Sequence, residues 1–119
     1  MSFDIKYLLK SYKKKEILLN QKEIKRLKAI VLDIEKKRAI VDSTFFLIVE
    51  SYSSKDEQKS SKCDYGYLRS KRVIEELIST YKFDRNKILF RDGYSKSELP
   101  PTGVYEVNII LVWYKGDFP

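Results

Sequence analysis

The sequence predicts a two-layer α/β (α+β) sandwich in the order β-α-β-α-β-β, a mixed sheet with both helices on one face. Two stretches carry apolar residues at spacings of three and four, the period of a helix with one buried side. Between and around them lie short runs that either alternate apolar and polar residues or are continuously β-branched and aromatic, as strands are. The chain of 119 residues is 43% hydrophobic and 34% charged with 4 Gly and 3 Pro, a composition that folds around a core. Residues 1–119 are therefore expected to form one domain.

Phe3, Ile5, Tyr7 and Leu9 recur with period two and mark an opening strand. The basic stretch Lys10 to Glu16 reads as a loop or the approach to a helix. Asn20, followed three residues later by Glu23, has the pattern of a capping box: the Asn oxygen accepts from a first-turn amide while Glu reaches back. A helix over 21–37 follows, with Ile24, Leu27, Val31 and Ile34 on its buried stripe and Ile30 widening it.

Thr44 to Tyr52 is nearly continuous in apolar residues and predicts a central strand covered on both faces. Ser53 to Asp64 is the longest polar segment, the kind of loop where functional groups gather. A second helix over 65–81 should bury Val73, Ile74, Leu77 and Ile78. Asp84 to Lys87 predicts a turn, Ile88 to Phe90 the start of a strand, Gly93 to Gly103 a loop, and Val104 to Tyr114 the last strand. Most of the Tyr and Phe residues lie in or beside these strands, where core packing is their ordinary use.

Several chemistries are excluded by what the chain lacks. It has no His, which removes the commonest general base and the commonest zinc ligand together. Cys63 is the single cysteine, so no intramolecular disulfide can form and no His stands ready to activate the thiol. Asp56, Glu57 and Asp64 are the clustered carboxylates, and a solvated polar loop accounts for them. No catalytic residue, metal site or cofactor is expected. No apolar run is long enough for a membrane-spanning helix, and Met1 to Leu9 has none of the parts of a signal peptide. Export would then need a targeting segment outside these residues.

The formal net charge is +7, and it is concentrated at one end: residues 1–38 hold 12 Lys or Arg against 5 Asp or Glu. Lys13, Lys14, Lys15, Lys22, Lys25, Arg26 and Lys28 predict a basic surface around the first helix, which would attract anionic polymers or simply keep the domain soluble.

In their order and spacing, several segments resemble the OmpA C-terminal-like, peptidoglycan-associating domain family. Phe3-Asp4 is similar to the family's opening strand, and Glu16-Ile17-Leu18-Leu19 to the lead into its first helix. Val49-Glu50-Ser51-Tyr52-Ser53-Ser54 stands where the family has V-E-G-(H/Y)-T-D. Arg69 with Val73, Ile74 and Leu77 resembles the arginine-bearing second helix, and Lys87-Ile88 followed by Gly93-Tyr94-Ser95-Lys96-Ser97 and Pro100 resembles the G-Y-G-x-S-x-P loop. The resemblance implies a non-catalytic module of the periplasm or cell envelope.

In that family a loop Asp and a helix Arg hold the charged ends of diaminopimelate in the peptidoglycan stem peptide. Carboxylate and ammonium on one short side chain call for a guanidinium fork and an acceptor at fixed separation. By this resemblance the ligand-binding residues are Arg69, with Arg72 one turn on as a substitute, and Ser53, Ser54 and Asp56 of the loop. Ser54 takes the place of the family's Asp, so hydrogen bonding replaces charge pairing there. The resemblance thus implies either a peptidoglycan-binding module or a domain of the same fold used as a protein-interaction scaffold with another envelope protein as partner. Nucleic-acid binding through the basic helix and exposed tyrosines ranks third, since no RNP-type or KH-type motif is present.

Overall fold

The computed structural model describes residues 2–38, 45–51, 65–92 and 105–114. Strand β1 (Ser2–Leu9), helix α1 (Gln21–Arg38), strand β2 (Phe45–Ser51), helix α2 (Tyr65–Ser79), strand β3 (Ile88–Asp92) and strand β4 (Val107–Tyr114) follow the predicted order. The strands form one four-stranded sheet in the order β1-β4-β2-β3. β2 and β3 are parallel, and β4 runs antiparallel to both β1 and β2. β1 and β2 are therefore not neighbours: the last strand inserts between them. The side chains explain the placement. β4 buries Val107, Ile109, Ile110 and Leu111 and suits an interior position, whereas β1 exposes Asp4 and Lys6, charges that belong on an edge.

Register decides which residues share the core. Tyr7 and Val49 both lie opposite Ile109, and Ile5 and Leu47 both lie opposite Leu111, so the odd-numbered residues of the three strands form one apolar face. Leu27, Ile30, Val31 and Ile34 of α1 and Val73 and Leu77 of α2 join those residues in one buried cluster, which places both helices on that face. The second face carries Phe46, Ile48 and Val112, which are half-buried, beside Ile110, Asn108 and Glu50, which are buried. The expectation that β2 is covered on both sides is met fully on the helix side; no described helix lies over the second face, and from Phe45 to Val49 the strand alternates in burial, while Glu50 is buried.

Both helices depart from the predicted stripe or length for local reasons. Asn20 caps α1, its Oδ1 accepting from the Glu23 amide at 2.9 Å, as expected. Glu23 does not reach back. Its carboxylate turns to the chain leaving β1 and accepts from the Ser11 amide at 2.6 Å, becoming buried in the process. The buried stripe consequently rotates toward Glu23, and Ile24 is left 44% exposed. α2 ends at Ser79, before the predicted Tyr81, because Lys82 takes a left-handed conformation (φ 60) that lets the Phe83 amide donate to the Leu77 carbonyl at 3.1 Å. Phe83 is thereby buried under the helix end. The turn predicted over 84–87 is a 3-10 turn, Arg85–Lys87, capped by the Asp84 carboxylate on the Asn86 amide at 2.9 Å.

Candidate functional site

β1 and β2 run in the same direction and finish together where β4 begins, since Leu9 and Ser51 both lie opposite Val107. The hydroxyl of Ser51 donates to the Glu106 carbonyl and ties this end of the sheet. Here the chain after β1 makes a tight turn. The Glu16 amide donates to the Lys13 carbonyl at 2.9 Å, and Lys15 is left-handed at φ 62, the conformation the third residue of a type II turn adopts. A lysine held there costs about 1 kcal/mol or more, so the surroundings must enforce the turn. They do. The Glu16 carboxylate accepts from the Lys13 amide at 3.2 Å and from Asn20 Nδ2 at 2.9 Å, while Asn20 Nδ2 also donates to the Ser11 carbonyl at 3.0 Å.

The turn points its carbonyls at Arg69. This residue is on the buried side of α2 and has 0% exposure. Its Nε donates to the Glu16 carbonyl at 2.6 Å and its Nη2 to the Lys13 carbonyl at 3.2 Å. Three rings surround the guanidinium: Tyr12, Tyr105 and Tyr65, with centroids 5.4, 5.6 and 5.8 Å from Cζ. Aromatic faces attract a cation most strongly where water is excluded, as here. Tyr65 opens α2 and Tyr105 stands two residues before β4, so both elements begin beside the arginine. The electrostatics of the cluster register at Tyr12. Burial raises its hydroxyl above the ordinary tyrosine value, the Glu23 carboxylate adds to the rise, and the Arg69 charge opposes it.

The expected site residues separate. Arg69 is enclosed at the end of the sheet. Arg72 lies one turn further along α2 in surface ion pairs with Glu75 and Glu76, each at 3.7 Å. Ser53, Ser54 and Asp56 lie outside the described residues, as do Cys63, Glu57, Asp64 and the loop Gly93 to Gly103. Sequence reasoning missed Tyr12 and the carbonyls of Lys13 and Glu16. The available signal was Tyr12 itself, a large aromatic set among Lys10, Ser11, Lys13, Lys14 and Lys15. On the basic surface, Lys13, Lys14, Lys15, Lys22, Lys25, Arg26 and Lys28 are exposed as expected. Tyr7, Tyr12 and Tyr65 are buried and hence unavailable for stacking on bases.

No family model and no curated protein matches the chain. Solved structures do. The periplasmic domain of Helicobacter pylori MotB, residues 90–256, superposes with a TM-score of 0.71 at 16% identity, over 94% of this chain and 75% of that one. The same domain as residues 97–256 gives 0.68 at 16% identity, over 89% and 80%. An outer membrane protein from Borrelia burgdorferi B31 gives 0.57 at 21% identity, over 91% and 83%. The chain has the fold of the MotB periplasmic domain. This is the OmpA C-terminal-like fold. No helix among the described residues is long and apolar enough to cross a membrane.

Proposed function

We propose that this domain is a non-catalytic module of the periplasm or cell envelope that associates non-covalently with peptidoglycan through Arg69. Supporting it is one observation above the others: a guanidinium buried at the carboxyl end of β2, its orientation set by two backbone carbonyls and three tyrosine rings. Orientation matters because a carboxylate is gripped best by two parallel N–H donors in one plane. With Nε and Nη2 held from within the protein, that plane is set before a ligand arrives, and less ordering entropy is lost on binding. Ser53, Ser54 and Asp56 would supply acceptors for the ammonium of the same stem-peptide residue. The exposed lysines of α1 and of the turn before it would add long-range attraction to an anionic wall.

The test is co-sedimentation of the domain with purified sacculi. The wild-type protein and Arg72→Ala should pellet with the wall, and Arg69→Lys, which keeps the charge but loses the fork, should remain largely in solution while retaining its circular dichroism spectrum. A wild-type domain that stays in the supernatant refutes the reading.

A second reading, a protein-interaction scaffold of the same fold, is favoured by the full enclosure of Arg69 on the protein's own carbonyls and by Ser54 in place of a carboxylate. It predicts no sedimentation with sacculi, together with a specific envelope protein recovered by mass spectrometry from cross-linked native cells.

A further inference from the structure

β3 is the last strand of the sheet and pairs only with β2 among the described residues. A groove of about 650 Å³ runs between this strand and α2. Tyr67, Lys71, Ile74 and Ile78, spaced by four, three and four residues, line its helix side, and Phe90 lines its strand side. Tyr67 and Phe90 are 44% and 41% exposed, and their rings meet edge to face with centroids 5.3 Å apart. Two aromatic rings left half in water beside an aliphatic floor have the composition of an interface core. The rim is cationic. Lys71 and Arg85 are exposed and make no ion pair among the described residues, while Arg72 is occupied by Glu75 and Glu76.

An edge strand with a groove between it and a helix is the geometry in which extended peptides add to a sheet. Backbone hydrogen bonds to the edge provide affinity, and alternate side chains enter the groove and provide specificity. We propose that this groove receives an extended acidic segment of a partner protein. That segment would lie beside β3 as a further strand, seat an apolar side chain against Tyr67 and Phe90, and place carboxylates on Lys71 and Arg85. The charge selects this occupant. A second copy of the chain brings a net charge of +7 toward two cations that make no ion pair among the described residues, and an anionic glycan offers nothing apolar for the floor.

A library of random linear peptides displayed on phage, panned against the folded domain, tests this. Enriched sequences should alternate apolar residues with Asp or Glu and lack a central Pro. A fluorescent synthetic copy of the most enriched peptide should bind wild-type protein, slow amide exchange along β3, and bind at least about tenfold more weakly to the Lys71→Glu/Arg85→Glu double variant. Both substitutions are on the surface, and a circular dichroism spectrum matching wild type confirms the fold. Sedimentation with sacculi should be unaltered in the double variant, which separates this groove from the Arg69 site. An absence of enrichment, or peptides that bind the double variant equally well, overturns the proposal. Concentration-dependent dimerisation that the double variant abolishes also overturns it, by assigning the groove to a second copy.

Discussion

Replacing Arg69 with alanine should be among the most damaging single changes to this protein, and the structure allows its size to be worked out. Two charge-assisted hydrogen bonds disappear, to the carbonyls of Glu16 and Lys13. Bonds of this kind contribute about 1.5–3 kcal/mol each. The cation also leaves Tyr12, Tyr65 and Tyr105, contacts of about 0.5–2 kcal/mol in desolvated surroundings that are not additive because one charge serves all three. Against these losses stands relief of the desolvation penalty of a buried ion, several kcal/mol. The balance, with the void left in place of the side chain, is a loss of about 3–5 kcal/mol. Domains hold only about 5–15 kcal/mol in all. At roughly 4 °C per kcal/mol, Tm should fall by about 12–20 °C. Calorimetry and urea unfolding read this directly, and Arg69→Lys should lose a smaller part because one ammonium cannot reach both carbonyls in the guanidinium plane. A loss below about 1 kcal/mol for Arg69→Ala would mean that the arginine does not anchor the 13–16 turn in the free domain, and the preset site would have to be abandoned.

Other expectations follow from the same contacts. Tyr12→Phe removes a buried hydroxyl that has no hydrogen-bond partner among the described residues, and urea midpoints should show stability unchanged or raised by about 1 kcal/mol. The hydroxyls of Tyr12 and Tyr7 are both raised above 10, chiefly by burial. The folded chain therefore keeps protons that the unfolded chain gives up, and the stability they contribute is present below pH 10 and declines as the pH rises above it, with tyrosinate absorbance appearing together with unfolding. At the acid end, the hydrogen bond from Lys37, followed by that from Tyr7, holds Asp33 below its ordinary carboxyl range. Its contribution is present above that ordinary value and vanishes as the pH falls through the folded one, so Asp33→Asn should flatten the acid limb of a stability profile. Asn20→Ala should cost about 1–2 kcal/mol by removing the α1 cap, together with its tie to Ser11 and Glu16. Chemical denaturation should also find Ile24→Lys within about 0.5 kcal/mol of wild type and Leu27→Ala about 2–5 kcal/mol less stable, because only Leu27 faces the core.

Helix and strand identity were legible because periodicity is a property of adjacent residues. Leu27, Val31 and Ile34 announced α1, and the β-branched and aromatic run from Phe45 announced β2, without reference to anything distant. Ile24 was misplaced for the opposite reason. Its spacing fits the stripe as well as its neighbours do, and only the Ser11 amide, twelve residues from Glu23 and brought there by the end of β1, decides that Glu23 turns inward.

Arg69 could be picked out from its position in a familiar pattern, but not its surroundings. Its oxygen partners belong to the backbone at Lys13 and Glu16, more than fifty residues away, and every residue type carries a carbonyl there. The groove on α2 shows the same division. The helical spacing of Tyr67, Lys71, Ile74 and Ile78 is written in the chain, whereas its place beside an outermost strand depends on β3 pairing only with β2 among the described residues. By itself the sequence determined the element order, the two-layer class and the basic first helix, all of which rest on local pattern and composition. Tertiary structure alone decided that β4 lies between β1 and β2, that a strained lysine turn reaches an arginine on the second helix, and that β3 pairs only with β2 among the described residues. Each of those outcomes depends on long-range pairing, whose free energy is set by surfaces that become neighbours only once the chain has folded.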